Sequence, residues 1–239
     1  MNELIELIKS AEYVTCFTGA GVSTFSGIRD FRGQNGLYND PDADKIFDLN
    51  YFMHDPSFYY RKSKNFIYVL DQKSPGIVHK MLAGLEHDGY LKAIITQNID
   101  LLHQKAGSKN VIEVHGSPMK HHCLSCGSEW GYEDIAVIVQ RDETPKCDKC
   151  GGIIKPDITF FGESLPAEAI DEAFNLAAKS DLMLVLGSSL VVQPAASIPL
   201  QTVRAGGKIV IVNNMSTPLD SHAWKLFPDL ESFSRELQV

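Results

Sequence analysis

A chain of 239 residues, 44% of them apolar, is long enough for one large core with room for an inserted module. Its formal net charge of −8 argues against nucleic-acid or membrane binding by bulk charge, and no run approaches the roughly 18 apolar residues of a membrane span. Plentiful glycine, moderate charge and the absence of repeats or low-complexity tracts exclude a disordered or fibrous chain.

The opening MNELIELIKSAEY has the pattern of an amphipathic helix with early acids and lacks the basic start and long apolar stretch of a secretory signal. The protein is therefore expected in the cytoplasm, where thiols stay reduced. YVTCFTGAG (13–21) is the first of five continuous apolar runs that end in small or polar residues. The others are LKAIITQNID (91–100), NVIEVHG (110–116), DLMLVLGSS (181–189) and GKIVIVNN (207–214). Continuous rather than alternating apolarity predicts strands covered on both faces. Helical spacing at 77–89, 165–180 and 195–207 fills the gaps; glycines close the first and last, and Pro166 lies in the first turn of the second. Strand–helix alternation of this kind predicts a doubly wound α/β fold with a parallel sheet.

Two stretches break the rhythm. Residues 34–76, rich in Tyr, Phe and Asp, read as a loop followed by a helical excursion. Residues 119–156 hold Cys123-x-x-Cys126 and Cys147-x-x-Cys150 with twenty residues between the pairs, which in a reducing compartment predicts a four-thiolate structural zinc module. The α/β domain then comprises 1–33, 77–118 and 157–239. Cys16, inside an apolar run, is expected to be a core residue.

Ligands of doubly wound sheets bind beyond the carboxyl ends of the strands. Here those ends present Gly19-Ala20-Gly21, Gln97 to Asp100, His115-Gly116, Gly187-Ser188-Ser189 and Asn213-Asn214. The first glycine turn should open a helix whose N–H groups could cradle a diphosphate. Yet Thr24 stands at the third glycine position of the usual fingerprint, and no acid closes a second strand, so a plain turn is the alternative. In SGIRDFRG (26–33), Asp30 and Arg32 flank Phe31, offering charge for a phosphate and a ring to shield a reactive carbon. A surface ion pair and a core phenylalanine explain the same residues. Asp100 suits either a cap for the next helix or, with Gln97 and Asn98, recognition of a carboxamide.

VHGSPMKHHCLSC (114–126) crowds three histidines and two cysteines together. Four thiolates already fill a tetrahedral ion, so His121 and His122 are expected in solvent. His115, at its strand end, should face the cleft, where an imidazole of ordinary pKa about 6.5 can accept a proton at neutral pH; a bonded core histidine is the alternative. His54, His79, His87, His103 and His222 are expected to be structural.

GAGVSTFSGIRDFRG, TQNIDLLHQKAGS, VIEVHG, the two cysteine pairs, KPDITFFGESLP (155–166), GSSLVVQPAA (187–196) and VNNMSTP (212–218) together resemble the sirtuins, NAD-dependent protein deacylases. The resemblance runs nearly end to end, and the length is similar to that of bacterial members made of the catalytic core alone. It implies a Rossmann-like domain with a small zinc module, NAD and substrate meeting between them. It assigns Ala20, Thr24, Asp30, Phe31, Arg32, Gln97, Gly187, Ser188, Ser189 and Asn213 to the NAD site, with Leu230 as a further member. Ile28, Asn98, Ile99 and Asp100 would form the nicotinamide pocket. Acyl-lysine would enter beside the TFFGE segment and pair with the backbone of Thr159, Phe160 and Phe161.

The implied reaction removes acetyl groups from protein lysines. The acetyl oxygen displaces nicotinamide from the ribose carbon, His115 acts as base on a ribose hydroxyl, and the products are O-acetyl-ADP-ribose and free lysine. Cys123, Cys126, Cys147 and Cys150 would hold Zn2+. Acetyl-lysine proteins or peptides are the implied partners; no nucleic acid and no membrane are expected, and the protein is expected to be monomeric.

Three departures stand out. Arg29 replaces the family's usual proline and is expected to loosen the cofactor loop. Thr159 replaces the usual valine. Succinyl-preferring members carry Tyr followed three residues on by Arg; here Tyr59 is followed by Lys62 and Tyr60 by Ser63, favouring neutral acyl groups, with Arg61, Lys62 and Lys64 keeping the question open. Competing readings are an NAD-dependent dehydrogenase, a non-catalytic zinc-ribbon adaptor and a mono-ADP-ribosyl transferase.

Overall fold

A computed structural model describes residues 1–33 and 35–237. In chain order its strands are β1 (Val14–Thr18), β2 (Leu91–Thr96), β3 (Val111–Glu113), β4 (Gly116–Cys123), β5 (Glu129–Gly131), β6 (Ile154–Ile158), β7 (Leu182–Leu186), β8 (Lys208–Val212) and β9 (Lys225–Phe227). Six form a parallel sheet in the order β3-β2-β1-β7-β8-β9; the other three form an antiparallel sheet, β5-β4-β6. Counted within the large sheet, the order is 3-2-1-4-5-6, that of dinucleotide-binding folds, with the reversal between β1 and β7.

Every residue of β1 and of β7 is buried, which explains their unbroken apolarity. One face packs Leu4, Ile8, Val78, Leu82 and Phe233, from helices Asn2–Ser10, Ile77–His87 and Leu230–Glu236, against Cys16, Leu184 and Val210. The other packs Ala173, Leu176 and Ile198, from helices Ala167–Lys179 and Ile198–Arg204, against Phe17, Ile95 and Val185. Cys16 is a core residue. No helix among the described residues is long and apolar enough to cross a membrane.

Details differ from the expectations. The apolar runs overshoot the strands, because polar strand-end residues leave the ladder to line a cleft. The first glycine turn opens a 3-10 helix, Ala20–Ser26, rather than an α-helix. β9 was not anticipated; three residues are too few to show a period. His115 does not end a strand. It lies in the two-residue turn between β3 and β4, where the chain passes from the large sheet to the small one. Gly116 makes that corner at φ 73°, and a Cβ there would collide with the Asp157 carbonyl.

A third core joins the excursion to the cysteine module, and it is aromatic: Phe47, Phe52, Tyr59, Tyr60, Tyr68, Tyr132 and Phe160. His121 belongs to it, contrary to its expected exposure. It is fully buried, with Nε2 2.9 Å from the Tyr68 hydroxyl. Neighbouring residues of a strand point to opposite faces, so His121 turns inward while His122 remains at the surface beside Asp157.

Candidate active site and metal centre

The carboxyl ends of β1, β2, β7 and β8 open onto a cleft of about 660 Å³, closed on its far side by Thr159 to Leu165. At the reversal point two glycine turns nest. Gly21 N–H donates to Gly187 O at 2.9 Å, and Gly187 N–H donates to Val212 O at 2.9 Å. A Cβ on Gly19 would lie 2.7 Å from Gly187 O, and Gly187 itself has φ 62°, so both positions need glycine. That close approach leaves backbone facing the cleft, where a diphosphate can come near it.

The structure brings most sequence-predicted site residues to this cleft: Ala20, Thr24, Asp30, Phe31, Arg32, Gln97, Asn98, Ile99, His115, Thr159, Phe160, Phe161, Gly187, Ser188, Ser189, Asn213 and Leu230. Ile28 and Asp100 are absent from its wall. They line an adjoining cavity of about 330 Å³ that shares Ala20, Phe31, Asn98 and Ile99 with the first. Gln97 spans the reversal point, donating from Nε2 to the Ser188 hydroxyl at 2.7 Å.

His115 Nδ1 lies 2.9 Å from the Gln97 carbonyl. A carbonyl can only accept, so the proton is on Nδ1 and Nε2 keeps its lone pair. Burial pushes the imidazole below its ordinary pKa, and the Gln97 bond opposes this only in part. At neutral pH the ring is therefore an uncharged base. Its carbonyl accepts Thr159 N–H at 2.9 Å, tying the base to the opposite wall.

In the adjoining cavity Asn98 Nδ2 donates to Gly19 O at 3.2 Å and to the Ser23 hydroxyl at 3.1 Å, and Ser23 donates to Asp100 Oδ2 at 2.5 Å. The other Asp100 oxygen accepts Leu102 N–H at 3.0 Å. Asp100 thus ties down the first N–H of the helix Leu102–Ala106 from one residue before its N-cap, Leu101, and with its other oxygen joins a polar cluster with Ser23 and Asn98. Ser23 was missed. Its signal was a small hydroxyl residue two positions after the glycine turn that follows a buried strand.

The loop over the cleft also departs from expectation. Arg29 does not loosen it. Its guanidinium forks onto Asp40 at 2.7 and 2.9 Å and donates to Asn35 O and Gly36 O at 2.8 and 3.0 Å, bracing the loop across its base. Asp30 and Arg32 do not form the pair that was the alternative reading. Asp30 accepts Gly33 N–H at 3.0 Å, while Arg32 stacks 5.0 Å above the Tyr38 ring. Phe31 rests edge-on against Phe47, ring centroids 6.0 Å apart.

On the opposite wall every N–H of Thr159, Phe160 and Phe161 is engaged, with His115 O, the Glu163 carboxylate and Phe47 O respectively. Among the described residues Thr159 O accepts no hydrogen bond, so the wall offers an acceptor rather than a donor. Phe160 is 1% exposed and packs on Phe47, Phe52 and Tyr59; Phe161, at 46%, is the exposed one.

The Sγ atoms of Cys123, Cys126, Cys147 and Cys150 all lie within 4.8 Å of one another, and the pairs 123/150 and 126/147 are 3.5 and 3.6 Å apart. A tetrahedron with Zn–S of about 2.3 Å has edges of about 3.8 Å, so the set fits that ion. Left-handed Gly127 and Gly151 close the two knuckle turns onto the carbonyls of Cys123 and Cys147. His121 and His122 are not in the set; their nitrogens face Tyr68 and Asp157.

Strand order, nested glycines and the neutral imidazole beside them mark an α/β protein of the dinucleotide-binding class. The chain belongs to the Sir2 family, whose sequence signature spans residues 19–194. A Thermotoga maritima protein named NAD-dependent protein deacetylase is 45% identical over 238 residues, covering 99% of this chain and 96% of that one. A Sir2 structure with a p53 peptide and NAD+ superposes with a TM-score of 0.90 at 44% identity, covering 98% of this chain and 95% of that one. Another, with a deacetylated p53 peptide and 3′-O-acetyl ADP-ribose, reaches 0.94 at 45% identity, covering 98% and 96%.

Proposed function

We infer that the protein is an NAD-dependent protein-lysine deacetylase, converting acetyl-lysine and NAD to free lysine, nicotinamide and O-acetyl-ADP-ribose. The observation that carries the reading is His115: its Nδ1 is held by the Gln97 carbonyl, leaving a neutral Nε2 at a glycine-lined cleft. The name of the Thermotoga relative and the ligands of the two Sir2 structures support it.

NAD, when bound, supplies the ribose carbon from which nicotinamide departs. The chain's own residues do the rest. The Gly19–Gly21 and Gly187 turns admit the diphosphate, and Gln97, Ser188, Ser189 and Asn213 receive the ribose and adenosine end with Thr24, Asp30, Arg32 and Leu230. Asn98, Asp100 and Ser23 hold the carboxamide against Ile28 and Ile99. Phe31 keeps water from a carbon that would otherwise be hydrolysed. Thr159 offers its carbonyl to the substrate, with Phe160 and Phe161 walling the acyl tunnel. His115 Nε2 takes the proton of a ribose hydroxyl.

Four thiolates leave zinc no open position, so its role is structural. On this reading the chain divides into the dinucleotide domain (1–33, 77–118, 157–239), the excursion (34–76) and the zinc module (119–156). The reduced thiolates suit the cytoplasm. The acidic balance suits a monomer acting on lysine-bearing peptides rather than on nucleic acid or membrane.

The test is incubation with NAD and an acetyl-lysine peptide, following free nicotinamide and peptide mass. Nicotinamide release matched by loss of the acetyl group is expected. Release without deacetylation, with ADP-ribose added to protein, would replace the reading by ADP-ribosyl transfer. Growth of reduced-nicotinamide absorbance would replace it by a dehydrogenase.

A further inference from the structure

Beneath the Asn98–Ser23–Asp100 cluster runs a buried chain of polar groups that takes no part in the chemistry above. Thr18 ends β1 and Thr96 ends β2; both are buried, and the Thr18 hydroxyl donates to Thr96 Oγ1 at 2.8 Å. The same Thr96 oxygen accepts Asn98 N–H at 3.0 Å. A hydroxyl has one proton, and that of Thr18 is committed to Thr96. His103 Nε2, 2.9 Å from Thr18 Oγ1, must therefore donate. This fixes the tautomer of His103 and leaves its Nδ1 a bare acceptor.

The His103 ring stands 4.8 Å, centroid to centroid, from that of His79. His79 Nδ1 accepts Gly76 N–H at 3.3 Å, so its proton is on Nε2. His79 Nε2 and His103 Nδ1 are both buried without another partner among the described residues, one a donor and the other an acceptor. Packing alone gives no reason for such a pair. An orphan polar atom in a core is destabilising, and a leucine would fill the space without that penalty. Burial keeps both rings uncharged, His103 down to about 3 with His79 adding to the effect. They are fixed hydrogen-bonding parts, not proton carriers.

We propose that His103, backed by His79, is a positioning residue for nicotinamide recognition: through Thr18 and Thr96 it sets the Asn98 backbone, and with it the cluster that grips the carboxamide. The proposal rests on the assignment of Asn98 and Asp100 to the nicotinamide pocket.

Three variants test it. His103→Leu keeps the bulk and removes the donor; His103→Gln restores an N–H at similar reach; Thr18→Val breaks the chain without touching a ring. The measurements are KM for NAD and for acetyl-lysine peptide, the nicotinamide inhibition constant, NAD affinity by calorimetry, and Tm. His103→Leu and Thr18→Val should each raise the NAD KM and the nicotinamide inhibition constant about ten-fold, the size of one lost buried hydrogen bond. The peptide KM should stay within about two-fold, and His103→Gln should return to within about three-fold of the parent. The double variant should be no worse than the poorer single one, because both break one chain. Normal NAD and nicotinamide constants in Thr18→Val overturn the proposal, whether or not His103→Leu folds; so does equal weakening toward peptide and NAD. A parent enzyme that releases no nicotinamide would instead remove the functional reading, and calorimetry with NAD would still decide the positioning role.

Discussion

The two walls of the cleft are built from different materials. The large sheet is mainly aliphatic on both faces, and its backbone ladders set where each strand end lies, so residues such as Gln97 and Gly187 inherit their positions from β2 and β7. The excursion and cysteine module combine a three-stranded sheet and three short α-helices around a core rich in aromatic rings. Their geometry depends on directed contacts. Tyr60 donates to Ile154 O and Tyr132 to Ile67 O, both at 2.8 Å; Gln140 donates to Tyr68 O at 2.9 Å; and four thiolates gather at one point. A wall made of ladders tolerates many side chains, whereas a wall made of directed contacts fails when one is removed.

The largest consequence lies at the metal. Cys147→Ser should release the ion and unfold the module, since structural zinc contributes on the order of 10 kcal/mol. Zinc content should fall to background and peptide turnover should be lost, while circular dichroism retains the large sheet's helical and strand signal. A metal-free variant that still deacetylates at the parent rate would show that the second wall needs no cross-link. His115→Ala comes next. It removes the proposed base at the junction of the two walls and should slow deacetylation at least about a hundred-fold with Tm nearly unchanged. Parent-like turnover in that variant would take the role from His115.

How much of this was legible in the sequence follows the same division. The strands that form the first wall could be read because burial on both faces makes them continuously apolar. The four thiolates could be read because metal spacing is local. What could not be read depends on distant partners. Gly19 needs to be glycine because Gly187 approaches it, and neither position alone says so. His121 looked like a solvent residue until Tyr68 covered it. Arg29 looked like a defect in the loop because its acceptor, Asp40, lies in a turn-rich stretch with no period to predict its course. Ser23 joined the site through Asn98 and Asp100, from another strand end.

A smaller effect separates the walls by substrate. Lys155 is 2% exposed; its ammonium lies 4.2 Å above the Phe160 ring and donates to Ile158 O at 2.7 Å. It pairs with Glu163 at 2.9 Å, and Glu163 in turn holds Phe160 N–H at 2.7 Å. The lysine is thus a strut under the Thr159–Phe161 wall of the cleft, to which the proposed function assigns the acyl-lysine. Lys155→Met keeps the stem but removes the charge that Glu163 answers. It should raise the peptide KM about ten-fold and leave the NAD KM within about two-fold, the reverse of the Thr18→Val pattern. Steady-state kinetics with each substrate varied in turn reads both constants. Equal changes would mean the walls are not separable.

The smallest effect is the dependence of stability on pH, and it too differs by location. His79, His103 and His115 are all pushed below the ordinary histidine value, chiefly by burial, and His103 reaches about 3. Below about pH 6.5 the unfolded chain binds protons that the folded rings refuse. Stability is therefore full above that pH and falls as the solution is acidified, by about 1.4 kcal/mol per pH unit for each such group. Glu113, two residues before His115, behaves oppositely. Burial lifts its carboxyl to about 7, so the folded state holds a proton that the unfolded chain releases above about 4.5. Its contribution is full at low pH and is lost as pH rises toward 7. The two slopes oppose each other between about pH 4.5 and 6.5. Denaturant midpoints across pH 4 to 8 should show His103→Gln flattening the acid limb and Glu113→Gln raising stability on the neutral side by about 1–2 kcal/mol. A Glu113→Gln variant that loses stability at pH 8 would mean that burial does not disfavour the ionised carboxylate in the fold.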